Sequence, residues 1–282
     1  MKYSMDDIKG KVCAVTGGGG VIGSVFCEGL ADAGAKVAVF YNSNKQKADA
    51  LVEKINSAYP GSAISVQANV LDKDSLLNAK KTINEKYGKL DVLVNCAGGN
   101  HPKATTQLEF LTEKDLNDIS KSFFGLELEG FRNVFDLNFM GTVLPTMILA
   151  EDMLGRGGVI VNISSMNSYK PLTKIPAYSA AKAAVNNLTE WLAVHFAKAN
   201  IRVNAIAPGF FLTDQNRFLL VDKETEQLTE RGKKIINGTP MGRFGEPEEL
   251  VGTLLYLVSD ISKFVTGVVI PVDGGFNAYS GV

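Results

Sequence analysis

A run of glycines near the start of the chain fixes most of what can follow. Residues 11–16 form a short apolar stretch of strand length, and residues 21–33 repeat apolar side chains at helical spacing. Between them stand Gly17, Gly18, Gly19 and Gly20, with Gly23 inside the first helical turn. Glycines at a strand-to-helix turn let the backbone bend sharply and approach a pyrophosphate, while the helix N-terminus offers free N–H groups and a positive dipole end. Gly17, Gly19, Gly20, Val21, Ile22 and Gly23 are therefore expected to cradle a dinucleotide.

The rest of the chain continues that alternation. Strands are predicted over 11–16, 36–41, 63–68, 90–95, 159–164, 202–207 and 268–272, with helices over 21–33, 45–58, 72–87 and 190–199. Strands this apolar on both sides, separated by helices, imply a doubly wound parallel sheet of about seven strands with helices on both faces, an α/β fold. No linker or internal repeat divides the 282 residues, so one catalytic domain over 1–282 is expected. Two stretches break the alternation. Residues 100–130 are polar and irregular, and residues 210–242 are rich in charge. Long loops after strand C-termini in such sheets carry substrate contacts or lids, and the competing reading is surface decoration or a subunit contact.

Charge and composition exclude several classes. A net charge of −1 gives no electrostatic case for nucleic acid or an anionic membrane as partner. The first ten residues lack an apolar signal core and no unbroken apolar stretch of spanning length follows, which argues against secretion and membrane spanning. The three cysteines, Cys13, Cys27 and Cys96, form no CxxC and fit a reducing cytoplasm. Neither His101 nor His195 has a metal-ligand partner at useful spacing, so no metal site is expected. His195, Trp191 and Phe196 are expected to serve packing, in the core or at a helix-paired subunit interface.

The chemistry concentrates in Tyr178-Ser-Ala-Ala-Lys182. Residues four apart share one helix face, and an ammonium beside a phenol favours the phenolate, bringing a group that titrates near pH 10 toward useful base strength. Ser165, at the end of the fifth strand, offers a hydroxyl to hold a substrate oxygen as charge develops. With the glycine cradle, this constellation predicts hydride exchange with a nicotinamide, the tyrosine carrying the hydroxyl proton. The second strand ends in Tyr41-Asn42-Ser43-Asn44-Lys45 with no carboxylate before Asp49. An acidic residue there would bind the ribose 2′-OH of NAD, so NADP(H) is favoured over NAD(H), although no arginine fork accompanies Ser43 and Lys45.

These residues together resemble the short-chain dehydrogenase/reductase family, over about Lys9 to Gly275. The resemblance implies a catalytic tetrad of Asn138, Ser165, Tyr178 and Lys182. It further implies cofactor contacts from Tyr41, Asn42 and Ser43, from Asn69 and Val70, from Asn95, Ala97 and Gly98, from Tyr178 and Lys182, and from Pro208, Gly209, Phe211 and Thr213. Val21 stands where the family usually has glycine, Asn69 where it often has aspartate, and Cys96 where it has a second asparagine. The segments 99–106, 131–138, 162–167, 217–218 and 274–280 are similar to a narrower branch, the bacterial D-mannonate oxidoreductases (fructuronate reductases). Gluconate 5-dehydrogenases are near relatives of that branch. The resemblance implies a homotetramer.

A sugar acid requires a cation for its carboxylate and polar partners for its hydroxyls. His101, Ser165, Asn167, Tyr178 and Arg217 are the substrate-side candidates, with Lys103, Lys174, Gln215 and Asn216 weaker ones. The expected activity is interconversion of D-fructuronate and D-mannonate. The alternatives are a gluconate 5-dehydrogenase, a 3-oxoacyl thioester reductase and, in a different class, a dinucleotide-binding sensor without turnover.

Overall fold

A computed structural model describes residues 4–212, 217–223 and 225–281. Seven parallel strands form one sheet in the order β3-β2-β1-β4-β5-β6-β7. They are β1 (Val12–Thr16), β2 (Lys36–Tyr41), β3 (Ala63–Gln67), β4 (Val92–Asn95), β5 (Gly158–Ile163), β6 (Ile201–Pro208) and β7 (Val269–Val272). The order reverses between β1 and β4, which opens a crevice at the strand C-termini where ligands of such sheets bind.

Alternation along each strand builds two cores. Cys13 and Val15 of β1 point to one face, where they pack with Phe26 and Leu30 of α1 (Val21–Asp32), Leu51 and Ile55 of α2 (Lys45–Ala58) and Leu254 of α9 (Val251–Val258). Val12 and Ala14 point to the other face. There they meet Leu76 and Ile83 of α3 (Lys73–Lys86), Leu149 of α5 (Gly141–Leu149) and Leu192 of α6 (Pro176–Phe196). The remaining helices are α4 (Leu128–Phe135), α7 (Arg217–Leu220) and α8 (Glu230–Asn237). Side-chain caps start several helices: Asn44 accepts from the Lys47 amide (3.0 Å) for α2 and Asp72 from the Ser75 amide (2.7 Å) for α3.

The expected strands and helices fall within one or two residues of the observed ones, with two informative differences. β4 begins at Val92, and just before it Asp91 accepts the Val12 amide on its carboxylate (2.9 Å). The helix expected over 190–199 is the end of α6, which starts at Pro176 and therefore carries Tyr178 and Lys182 on the same rod. The stretch Leu128–Met153 has the length to cross a bilayer and holds an 18-residue window of mean hydropathy 1.2, yet half of that window is buried within the protein. It turns Asn138, Thr142 and Thr146 inward to buried hydrogen bonds, the pattern of a core helix. Trp191 is exposed and stacks on His195 at 4.6 Å between ring centroids, so it lies outside the core; Phe196 is half-buried.

Candidate active site

The crevice at the strand C-termini is a cleft of about 440 Å³ lined by the glycine turn, the segments after β4, β5 and β6, and two residues of α6. Its first wall is the glycine turn, where the backbone leaves no room for side chains. Gly17 has φ +63° and a Cβ there would lie 2.9 Å from the Ala97 Cα, while a Cβ on Gly23 would lie 2.2 Å from the Gly17 carbonyl oxygen. Val21, Ile22 and Gly23, the first turn of α1, line the cleft; first-turn N–H groups have no intrahelical partner and suit an anion. The bare backbone and the helix end fit a pyrophosphate.

The second wall carries the titratable groups. Ser165 follows β5, and Tyr178 and Lys182 stand one turn apart on α6, the Lys182 Nζ lying 5.6 Å from the tyrosine ring centroid. Lys182 is 4% exposed and donates to the Ile163 carbonyl at 2.7 Å. Burial depresses its ammonium to about 8, with the nearby Cys96 thiol acting weakly the other way. Burial raises the Tyr178 phenol above its ordinary value; a hydrogen bond with Ser165 opposes that rise. The Cys96 thiol, also on the cleft wall, is pushed up to about 12 by burial.

Asn138 occupies a widened helical turn, Asp136–Met140, between α4 and α5. Such π-type turns expose main-chain groups and concentrate at functional sites. Its amide donates to the Gly99 carbonyl (2.7 Å) and the Val134 carbonyl (2.8 Å), and its oxygen accepts from the Gly99 amide (3.1 Å). Gly98 passes so close that a Cβ there would sit 2.7 Å from the Asn138 Oδ1 and 3.3 Å from the Lys182 Nζ. Asn138 is fully buried and does not itself line the cleft.

Beneath these groups runs a buried polar ladder. Asn95 and Asn162 are paired in register on β4 and β5, and the Asn95 amide donates to Asn162 Oδ1 and Thr146 Oγ1, each at 2.9 Å. Asn162 donates to Thr189 Oγ1 (2.9 Å), tying β5 to α6. Thr16 Oγ1 accepts from the Cys96 and Ala97 amides at 3.0 Å, fixing the turn after β4 against β1. Sequence reasoning missed Thr16, Thr142, Thr146, Asn162 and Thr189. The available signal was the i, i+4 series Asn138-Thr142-Thr146 in an otherwise apolar helix.

Of the expected cofactor residues, Gly17, Gly20, Val21, Ile22, Gly23, Ala97, Gly98, Pro208, Gly209, Phe211, Tyr178 and Lys182 line the cleft. Asn95 lies beneath it in the ladder. Gly19, Tyr41, Asn42, Ser43, Asn69 and Val70 are not on the lining; they lie along the ends of β1, β2 and β3, where the Gly18 amide donates to the Phe40 carbonyl (3.0 Å) and the Ala68 amide to the Tyr41 carbonyl (2.8 Å). The Asn69 side-chain oxygen is engaged by the Leu71 amide (3.0 Å). Lys45 is held by Asp49, whose carboxylate also accepts from Ser65 (2.6 Å). Thr213, Gln215 and Asn216 lie outside the described residues. Ile163, Ser164, Cys96 and Phe210 line the cleft without having been anticipated.

The substrate-side expectations fare differently. Ser165 and Tyr178 are on the cleft; His101, Asn167 and Arg217 are not among its lining residues. His101 accepts from the Lys103 amide at 3.2 Å and so caps a short turn with Pro102 in its first position. Lys103 pairs with Glu127 and Glu129 at 3.0 Å each. Asn167 is buried, its Oδ1 without a hydrogen-bond partner among the described residues. Arg217 is exposed at the start of α7. No cluster of three or more metal-ligating side chains occurs among the described residues.

Comparison with known proteins points to one family and one fold. Residues 19–277 match the model of a family described as enoyl-(acyl carrier protein) reductase. An uncharacterized oxidoreductase of Bacillus subtilis is 49% identical over 279 residues, covering 98% of each chain. The crystal structure of a Haemophilus influenzae protein, described as a candidate D-mannonate oxidoreductase with bound NAD, is 48% identical, covers 99% of both chains and superposes with a TM-score of 0.93. A gluconate 5-dehydrogenase of Burkholderia cenocepacia, in complex with NADP and tartrate, is 28% identical over 98% of this chain and all of its own, with a TM-score of 0.80.

Proposed function

The chain belongs to the short-chain dehydrogenase/reductase family and is an oxidoreductase acting on alcohols or ketones with a nicotinamide cofactor, and from that premise we propose that it interconverts D-fructuronate and D-mannonate. The observation that carries the reading is the convergence of Ser165, Tyr178 and Lys182 on a cleft whose opposite wall is the glycine cradle. The likeness to the Haemophilus influenzae structure supports the choice of substrate. The bound nicotinamide supplies the hydride in reduction and accepts it in oxidation. In reduction, Ser165 holds the ketone oxygen and Tyr178 donates the proton to it. Lys182 holds the phenol's charge as the proton leaves, and Asn138, through its hold on Gly99, keeps the adjoining wall in place. Burial alone leaves Tyr178 too weak an acid for oxidation at neutrality; the charge of Lys182 and of an oxidised nicotinamide lowers it in the working complex.

For the cofactor, the missing carboxylate after β2 supports NADP(H). The Lys45–Asp49 pair and the NAD of the Haemophilus influenzae relative support NAD(H), which we propose as the cofactor. A gluconate 5-dehydrogenase is the second reading, supported by the Burkholderia cenocepacia relative. We further propose a cytoplasmic homotetramer, with the exposed Trp191 and Val194 of α6 among its contacts; a monomer by light scattering would remove that part.

The test follows the loss of reduced-nicotinamide absorbance with NADH and NADPH against D-fructuronate, 5-ketogluconate and a 3-oxoacyl thioester. Oxidation with fructuronate alone is expected, faster with NADH. Turnover confined to 5-ketogluconate or the thioester would discard the substrate assignment and keep the family chemistry.

A further inference from the structure

Three loops leave the C-terminal ends of the adjacent strands β4, β5 and β6, and the first residues of each line the cleft: Gly98 and Gly99, Ser164 and Ser165, and Gly209 to Phe211. Farther along, the same three loops meet again. The Thr106 amide of the first donates to the Lys174 carbonyl of the second at 2.9 Å. Glu109 of the first pairs with Lys234 of the third, on α8, at 2.8 Å. Thr106, Glu109, Lys174 and Lys234 thus tie the three loops into a ring, held by one main-chain bond and one ion pair.

The charge on this ring is lopsided. Lys174, Arg231 and Lys234 all act on Glu109, whose carboxyl they hold below its ordinary range, the Lys234 hydrogen bond first among the causes. Lys234 is committed to Glu109; among the described residues neither Lys174 nor Arg231 is in an ion pair. Both are half-buried, so their charges are less screened than those of free surface cations. Lys174 also has φ +74°, a left-handed conformation that costs a lysine free energy and that glycine or asparagine would adopt more easily. It stands four residues before Tyr178, at the end of the segment that begins with Ser165. A strained backbone bearing a half-buried cation, four residues before a side chain of the cleft, points to a role for the side chain.

We propose that Lys174, with Arg231 as second cation, receives the carboxylate of the substrate and so determines the preference for an anionic ketone. Glu109 then spaces the cations and links the loops. This inference rests on the sugar-acid reading and deepens it: the hydride chemistry is set by the cleft walls, and the choice of a charged over a neutral ketone by the ring.

The test compares D-fructuronate with D-fructose, its neutral counterpart, in wild type, Lys174→Gly, Lys174→Arg and Arg231→Gln. Glycine removes the cation while suiting the observed φ, so Lys174→Gly should fold. KM for fructuronate is expected to rise about tenfold to a hundredfold in Lys174→Gly and less in Arg231→Gln, the loss of a charge-assisted hydrogen bond. Lys174→Arg should restore most of it. The rate with fructose and the dissociation constant for NADH should stay within about twofold. An unchanged fructuronate KM in Lys174→Gly, with wild type active, overturns this inference alone; so does an equal loss on fructose. Wild-type silence on D-fructuronate and on 5-ketogluconate removes the sugar-acid reading and this inference with it.

Discussion

The floor of the cleft and the ring above it are built from opposite materials. Asn138 is fully buried and Lys182 nearly so, each held by hydrogen bonds to main-chain carbonyls that belong to other elements. The excursion above them leaves Phe110, Phe123, Phe124 and Leu128 more than half exposed and is tied down by surface ion pairs such as Lys103–Glu129 and Lys234–Glu109. The floor is pre-wired because its groups are bonded to β5 and to the segment after β4, neighbouring strands whose register is fixed by the sheet. The ring owes its shape to a few local contacts. Chemistry that tolerates no displacement suits the first, and the proposed recognition of the substrate's charge falls on the second, as loops held by a rigid scaffold allow.

The sharpest way to break this division is at Tyr178. Tyr178→Phe removes one hydroxyl from the floor and nothing from the cradle. Turnover should fall by about a thousandfold or more, while NADH binding measured by fluorescence titration stays within about twofold. A variant retaining a tenth of wild-type turnover would take the proton transfer away from this residue. The next effect belongs to the cradle. Gly23→Ala would drive a methyl to 2.2 Å from the Gly17 carbonyl oxygen, so the turn must open. Cofactor affinity should weaken by about tenfold or more, with unfolding temperature changed far less than binding. Equal affinity for NADH in this variant would show that the cofactor does not use the turn.

These two positions were also the most legible in the sequence, and for the same reason. A glycine between strand and helix, and a tyrosine four residues before a lysine on one helical face, are local patterns whose geometry the chain itself imposes. The sheet was legible on the same terms, since its strands are short, mostly apolar runs between helical segments. The Asn95–Asn162 pair was not, because its two residues face each other only once β4 and β5 are aligned. The widened turn around Asn138 has no periodic signature either; it is recognised by the hydrogen bonds it leaves open. Substrate residues were the least legible. His101 and Lys103 carry plausible chemistry, but in an irregular loop their nearest partners, a turn amide and two glutamates, take them first.

Lys182 sharpens the comparison through pH. Its ammonium is charged in the unfolded chain up to about 10.5 but loses its proton near 8 when buried. Between those values the unfolded state binds more protons, so this residue's contribution makes stability rise with pH there; below 8 the full desolvation cost is present. Lys182→Met should therefore lose activity yet unfold later than wild type at pH 7 without cofactor, by about 1–3 kcal/mol. The gap should narrow as pH rises from 8 toward 10. A gap that is constant with pH would mean that the Ile163 hydrogen bond compensates the burial in full.

The smallest effect is expected on the ring. Glu109→Gln breaks an ion pair between side chains that remain partly in water, 30% exposed for Glu109 and 65% for Lys234. Exposed pairs of this kind contribute little, since ordering two flexible side chains offsets most of the attraction. The unfolding temperature should not move measurably. Hydrogen exchange should, because local opening reports on contacts that global unfolding does not. Amides of α8 and of residues 105–110 should exchange about two- to threefold faster, with the strands unchanged. Lys234→Met should give the same result, and the double variant no more than either single one, as expected for two groups whose role on the ring is their contact with each other. An additive double variant would mean that Glu109 is held chiefly by Lys174 and Arg231, which would make it part of the cation cluster's electrostatics instead of the tie between two loops.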